Sequence, residues 1–442
     1  METILLNEGN DKLKAAFYNL GCKVNQYETE AIRKIFLTSG YEIVDELNAA
    51  DVIVVNTCAV TSLSEQKSRQ IIRRLIRANQ SAIMCVMGCY AQNSPQKISE
   101  IDGVDVIIGT ADRMKIIEFV EEARKNREEK ILHVDDVKKI SVFEELPHTP
   151  QRTRAFLKIE DGCNNFCAYC IIPYLRGRVR SRSLENIRAE CLQLAGNGYR
   201  EIVLTGIHIG AYGQDFKNKI TLVDAVKMVL ETANPYRLRL GSIESAEMSD
   251  ELIELMKSDE RICNHVHLPL QSGSDEILKA MRRPYTTKNF AALISKLVKE
   301  IPDISIGTDL IVGFPNETDK NFEETIEFIK AQPFSKIHVF PFSAREGTLA
   351  ATMPNQISAQ VKKIRANQAL EISASKEKNF AEKLIGKTVE IIAETEENNF
   401  IDGLTKNYVR VYLPTNSEIK SGDVGKVKIE KIFRNGVLGN AI

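Results

Sequence analysis

The sequence predicts an α/β multidomain protein: an N-terminal open parallel α/β sheet domain, a partial (β/α)6 barrel, and a small C-terminal antiparallel β-barrel. Three observations carry this. Short apolar runs alternate with amphipathic helical stretches over residues 14–125 and again from Ala155, as parallel sheets with crossover helices require. After Gly386 the pattern changes to short strands separated by turn residues, the mark of a small antiparallel barrel. A chain of 442 residues holds two to four domains at about 150 residues each.

In order, KAAFYNL, DVIVVN, AIMCVMG and VDVIIG read as strands, and NQYETEAIRKIFLTSGY, SEQKSRQIIRRLIRAN and DRMKIIEFVEEARKN as helices between and after them. These fill a first domain, residues 1–130. Residues 131–153 lack a sustained period and carry Pro147 and Pro150; they read as a linker holding at most one short strand. Over 154–376, AFLKIE, REIVLTG, YRLRLGS, HVHLPL, DISIGTDLIVGF and SKIHVFPF give six βα units, two short of a full barrel. Residues 377–442 hold the strands TVEIIAET, LTKNYVRVYL and DVGKVKIEKIF.

Composition narrows the class. Hydrophobic residues at 43% and charged residues at 27% are ordinary for a soluble globular protein. No apolar run approaches the ~18 residues of a membrane span. The stretch METILLNEGNDKLK has no basic region followed by an apolar one, so no leader is expected. Nine cysteines, an odd number, with three crowded into one loop, argue against a secreted disulfide framework and for reduced thiols in a cytoplasmic protein. A net charge of −1 leaves any nucleic-acid partner to be held by local basic patches.

The crowded cysteines are Cys163, Cys167 and Cys170 in DGCNNFCAYC, just past the first barrel strand, on the face where barrel active sites are built. One reading is a zinc knuckle whose fourth ligand lies elsewhere. Against it, no nearby His or Cys supplies the second pair usual in structural zinc sites. Cys22, Cys58 and Cys89 each follow one of the first three strands of the N-terminal sheet. Strand ends of a parallel sheet converge on one crevice, so these too would form a trio. Ordinary burial is the other reading of a cysteine, and it suits Cys85 in mid-strand and Cys191 on a helix.

The C-x3-C-x2-C spacing with Tyr169 before its last cysteine resembles the radical S-adenosylmethionine (SAM) superfamily. With LGCKVNQYE, NTCAVT, GCYAQ and the run LRGRVRSR, the chain resembles the methylthiotransferases, whose N-terminal domain, radical SAM core and C-terminal TRAM barrel account for nearly all of it. The resemblance implies two 4Fe–4S clusters. Cys163, Cys167 and Cys170 would leave one iron open for SAM, whose reductive cleavage yields a 5′-deoxyadenosyl radical. Cys22, Cys58 and Cys89 would hold an auxiliary cluster with its own open iron, and the N-terminal domain would cap the barrel mouth. The catalytic groups would be these clusters and SAM.

Within the family, LGCKVNQYETE and LTGIHIGAYGQD are most similar to the bacterial type that adds a methylthio group to carbon 2 of N6-threonylcarbamoyladenosine at position 37 of tRNA. Relatives of two other kinds modify isopentenyladenosine-37 of tRNA or an aspartate of a small-subunit ribosomal protein. A different class, a non-catalytic RNA-binding protein with structural zinc, remains an alternative. The implied partners are the tRNA anticodon loop, a flavodoxin or ferredoxin as reductant, and a sulfur donor that the sequence does not identify. No membrane is implied.

For the SAM pocket, Tyr169 and strand ends offer Gly206, His208, Glu244, Gln271, Ser272 and Gly313, the glycines as points where backbone approaches the cofactor. His208 reads equally as a packed histidine. Arg176, Arg178, Arg180 and Arg182 recur at period two, and extended backbone would set them on one face toward RNA phosphates; pairing with core carboxylates is the competing reading. The helix bearing Arg69, Arg73, Arg74 and Arg77 reads as a solvated face or an RNA contact.

Overall fold

The computed structural model describes residues 12–150, 153–415 and 417–442. The stretch read for a leader and two linker residues, Gln151 and Arg152, lie largely outside them. Two compact units emerge: residues up to Thr149 with Tyr174–Gly177, and Pro150–Pro173 with Arg178 onward.

The first unit is a six-stranded, wholly parallel sheet. Its strands are β1 (Lys14–Asn19), β2 (Glu42–Ile43), β3 (Val52–Thr57), β4 (Ile83–Gly88), β5 (Val106–Ile108) and β6 (Ile131–His133). They lie in the order β2-β1-β3-β4-β5-β6. Every residue of β3 and β4 is buried, which is why VIVVNT and IMCVMG are continuous apolar runs rather than alternating ones. Strand β6 is the short strand foreseen in the linker; β2 was not foreseen, because two residues give no period.

Chain order reverses between β1 and β3. Such a switch point opens a crevice beyond the carboxyl ends of the strands.

The second unit begins with β7 (Arg154–Lys158), followed by β8 (Glu160–Asp161) and β9 (Arg180–Ser181). An antiparallel pairing, Glu160 with Ser181 and Asp161 with Arg180, closes the base of the loop that carries three cysteines. The remaining barrel strands are β10 (Glu201–Thr205), β11 (Arg237–Arg239), β12 (His265–His267), β13 (Ser305–Val312) and β14 (Lys336–Pro341). They form two parallel sheets, β11-β10-β7 and β12-β13-β14. Bridges from Leu238 to Ile262 and from Ser242 to His267 join them edge to edge. Six consecutive parallel strands thus make a partial barrel, its apolar core filled by residues such as Leu157, Leu204, Leu238, Val266, Ile306 and Ile337.

The C-terminal strands β15 (Thr388–Glu397), β16 (Phe400–Thr405), β17 (Arg410–Pro414), β18 (Val424–Phe433) and β19 (Gly436–Ala441) close into a barrel in the order β15-β16-β17-β19-β18. One helix, Ala359–Glu382, crosses position 376. It contributes Ala366 and Ala369 to the larger core and Ala381 to the small barrel's core.

The small barrel docks on residues that open the larger barrel's strands. Arg237 gives Nη1 to the Leu404 carbonyl at 2.8 Å and Nη2 to the Glu390 carbonyl at 2.8 Å. Arg239 reaches the Lys406 and Thr405 carbonyls while its Nε holds Glu201 at 2.7 Å. Tyr408 lies against Arg239, 4.7 Å to the ring centroid, and stacks on His265 at 4.6 Å. Both Arg239 and Glu201 are fully buried; Arg239 holds Glu201 at 2.7 Å, with Arg154 farther off at 3.8 Å. Arg239→Ala leaves the Glu201 carboxylate only its distant counter-charge and is expected to cost about 3–5 kcal/mol. A urea denaturation midpoint checks this, and adding Glu201→Gln should recover part of the loss.

Candidate metal centres

In the first unit, Cys22 follows β1, Cys58 follows β3 and Cys89 follows β4, around the switch-point crevice. Two buried asparagines set the loops. Asn25 Nδ2 donates to Asn56 Oδ1 and to the Thr57 carbonyl, each at 3.0 Å; Asn56 Nδ2 returns to the Asn25 carbonyl at 2.9 Å. Asn25 Oδ1 also accepts from Cys22 Sγ at 3.2 Å. Gly88 has φ +99° and ψ −161°, a region essentially reserved for glycine. A Cβ there would collide with Asn56 Oδ1 and lie 2.8 Å from the Thr57 carbonyl oxygen. Arg176, fully buried, aims Nε at Cys89 Sγ from 3.4 Å and grips both oxygens of Glu28, whose Oε1 Arg113 also contacts.

Cys22 is exposed, Cys58 half-buried and Cys89 buried. Burial pushes the Cys89 thiol up to about 12, with Arg176 pulling it down and the Cys58 and Cys22 sulfurs raising it further. Burial also raises Cys58.

In the second unit the loop of Cys163, Cys167 and Cys170 is pinned by backbone: Ala168 N–H donates to the Met281 carbonyl at 3.0 Å, and Ala350 N–H to the Ala168 carbonyl at 2.8 Å. His208, directly beyond the β10 end, brings Nδ1 to 3.5 Å from Cys163 Sγ and Nε2 to 2.8 Å from Glu247. Its backbone N–H donates to the fully buried Glu160 carboxyl at 2.6 Å, which burial lifts well above the usual carboxylate range. Arg283 gives Nη1 to Cys167 Sγ at 3.1 Å, Nη2 to Glu244 and Nε to the Tyr285 hydroxyl at 3.0 Å. Burial pushes the thiols of Cys163 and Cys170 up to about 12.

All nine cysteines are free thiols. Pockets that disfavour bare thiolates suit a group bringing its own positive charge, since metal coordination deprotonates a thiol outright. Among the described residues, Asp112, His133 and Asp135 bring three ligand atoms within 4.8 Å of one another, but Lys115 already holds Asp112 at 2.7 Å. Each cysteine trio supplies three thiols, the ligand count of a 4Fe–4S cluster with one open iron.

Comparison with known proteins agrees. Residues 157–329 match the Radical SAM superfamily and residues 14–109 match Uncharacterized protein family UPF0004. A Bacillus subtilis protein named threonylcarbamoyladenosine tRNA methylthiotransferase MtaB is 46% identical over 94% of this chain and 93% of its own. The Aquifex aeolicus protein of the same name is 38% identical over 90% and 96%. The chain belongs to the radical SAM methylthiotransferases. A Clostridium novyi protein named tRNA-2-methylthio-N(6)-dimethylallyladenosine synthase is also 38% identical, over 86% and 85%. Among solved structures, the radical SAM methyltransferase TsrM from Kitasatospora setae aligns with a TM-score of 0.56 at 16% identity over 77% of each chain, a likeness of fold. The methylthiotransferase is a transferase whose cofactors are SAM and two 4Fe–4S clusters.

Its arginine run departs from the sequence expectation. Arg176 ends a short helix, Ile172–Arg176, instead of lying on a strand. Arg180 and Arg182 are buried, Arg180 facing Asp161 at 3.7 Å and Arg182 paired with Glu190. Only Arg178 of the four is exposed, so no row of four faces RNA: the extended segment is two residues long and its neighbours fold inward to charged partners. On the basic helix Ser62–Ala78, Arg69 and Arg74 donate to the Tyr90 and Tyr18 hydroxyls at 2.9 Å, and Arg73, Arg74 and Arg77 are exposed.

A Cβ at Gly206 would meet Glu160 and Ile209, and one at Gly313, which has φ +72°, would meet the stem of Lys362, so the chain itself already demands glycine at both. Ser272 is buried against Thr325, and Glu244 is engaged by Arg283. Gln271 holds φ +68°, a strained conformation of the kind stored at functional sites. Tyr169 packs at the edge of a cluster of Ala168, Met281, Phe314 and Phe342.

Sequence reasoning missed Asn25, Asn56, Glu160 and Arg283. For Asn56 a signal existed: one amide inside an otherwise apolar strand. Gly88→Ala is expected to cost about 1–3 kcal/mol for its backbone alone, more with the Asn56 collision, seen as a lowered thermal midpoint of the full chain.

Proposed function

We propose that this enzyme adds a methylthio group to carbon 2 of N6-threonylcarbamoyladenosine-37 in the anticodon loop of tRNA. The observation that carries the reading is the 46% identity, over 94% of the chain, to a protein named for that reaction, in a chain with a cysteine trio in each of its two units. Cys163, Cys167 and Cys170 would hold the cluster that binds SAM, and Cys22, Cys58 and Cys89 the auxiliary one. When bound, these groups supply reductive cleavage of SAM, hydrogen abstraction at the base, and the sulfur and methyl that take the hydrogen's place.

The chain's own part is to hold and to exclude. Three thiols per site leave each cluster one position without a protein ligand. His208 and Arg283 orient Cys163 and Cys167, and Arg176 orients Cys89. Exposed Arg178, Arg73, Arg74 and Arg77 are among the basic side chains that would be offered to tRNA phosphates. No helix among the described residues is long and apolar enough to cross a membrane. We place the enzyme in the cytoplasm, with a flavodoxin or ferredoxin as reductant.

Relatives named for dimethylallyladenosine at 38% identity give the second reading, and one experiment separates the two. Nucleoside mass spectrometry of tRNA from cells lacking the gene is expected to show loss of the methylthio mark from threonylcarbamoyladenosine alone. Loss from isopentenyladenosine, or an unmarked ribosomal protein, contradicts the assignment. In purified enzyme, Cys167→Ala is expected to abolish SAM cleavage. Cys58→Ala should leave cleavage largely intact while stopping methylthiolation, and full activity there refutes the auxiliary site.

A further inference from the structure

Two arginines have their guanidinium groups locked while one N–H edge points at sulfur. Arg283 is 7% exposed. Its Nη2 is paired with Glu244 and its Nε with the Tyr285 hydroxyl, which itself donates to the Pro269 and Leu270 carbonyls. The guanidinium carbon lies 5.0 Å from the Tyr285 ring centroid. What remains, Nη1, faces Cys167 Sγ at 3.1 Å. Arg176 repeats the device in the first unit: Glu28 takes Nη1 at 2.5 Å and Nη2 at 3.0 Å, and Nε faces Cys89 Sγ at 3.4 Å. In both, a glutamate on one edge of the fork fixes the direction of the edge that meets the thiol.

We infer that Arg283 and Arg176 are positioning residues that set the reduction potentials of the two clusters, each by donating a charged hydrogen bond to one ligating thiolate. The inference rests on the trios being cluster ligands. Adding one electron from a low-potential donor makes the cluster more negative and puts more charge on its thiolates. An N–H donor fixed on a thiolate stabilises that reduced form more than the oxidised one, so the potential rises. Charged donors act about twice as strongly as neutral ones. Glu244 and Glu28 moderate the effect without cancelling it, because each occupies guanidinium N–H groups other than the one facing sulfur.

A purely structural role would alter stability and leave the potential alone. The test is an EPR-monitored redox titration of the anaerobically reconstituted full chain, poised with dithionite. The cluster whose signal changes on adding SAM is thereby assigned to Cys163, Cys167 and Cys170. At the potential that half-reduces the native cluster, Arg283→Gln is expected to lower the reduced-to-oxidised ratio of that cluster at least tenfold, 59 mV for a one-electron couple. The auxiliary cluster should not move. Arg176→Gln is expected to do the reverse, and Glu28 keeps Arg113 there, so no buried carboxylate is stranded.

If Arg283→Gln fails to fold, Arg283→Lys, which keeps the charge but not the fork, should shift the same cluster in the same direction by less. Unchanged potentials in variants that retain their iron overturn the inference. Iron bound in the native chain but unaffected by loss of the cysteines instead sinks the ligand reading on which it rests.

Discussion

Parallel strands all finish at the same edge, so every loop that follows one opens onto the same side of the sheet. A sequence can therefore gather distant residues into one site simply by placing each just past a strand end. Both cysteine sets depend on this. Cys22, Cys58 and Cys89 lie far apart in the chain and meet because β1, β3 and β4 are parallel neighbours. Cys163, Cys167 and Cys170 need only one strand end, β7, with the two-residue β8–β9 pairing to close the loop beneath them.

Delivering thiols is not the same as aiming them, and aim comes from buried polar groups. Asn25 and Asn56 cross-link the loops after β1 and β3. Glu28 is clasped between Arg113 and Arg176, and Glu244 holds Arg283. Buried ion pairs are poor sources of stability, since desolvation offsets most of their attraction. Their value is direction: a planar fork with one edge occupied has a fixed bearing on its other edge. The Arg239–Glu201 pair uses the same geometry to dock the C-terminal barrel on the residues that open the strands, away from the strand ends where the cysteine loop lies.

Much of this was legible in the sequence. The six barrel strands and the four principal strands of the first sheet follow from apolar alternation, and both trios follow from their place after strands. Misreadings have local causes. LTKNYVRVYL reads as one strand but is two, broken at Asn407–Tyr408, where Tyr408 takes φ +67°; nothing in a β-prone Tyr-Val pair announces a left-handed turn. GVLGNA was not read as a strand because its glycines hide its period, yet β19 closes the barrel. The alternate arginines suggested an exposed ribbon, whereas tertiary carboxylates draw Arg176, Arg180 and Arg182 inward. Arg283 had no signal at all, since its role depends on Cys167, 116 residues away.

The centre of this account is that each cysteine trio would hold one of the enzyme's two 4Fe–4S clusters. Counting iron and sulfide in the anaerobically reconstituted chain and in the Cys22/Cys58/Cys89 triple-alanine variant tests it most directly. The expected result is about eight irons and eight sulfides in the native chain and about four of each in the variant, with the surviving cluster still responding to SAM. Zinc in place of iron, or an iron content that the triple substitution leaves unchanged, would contradict it.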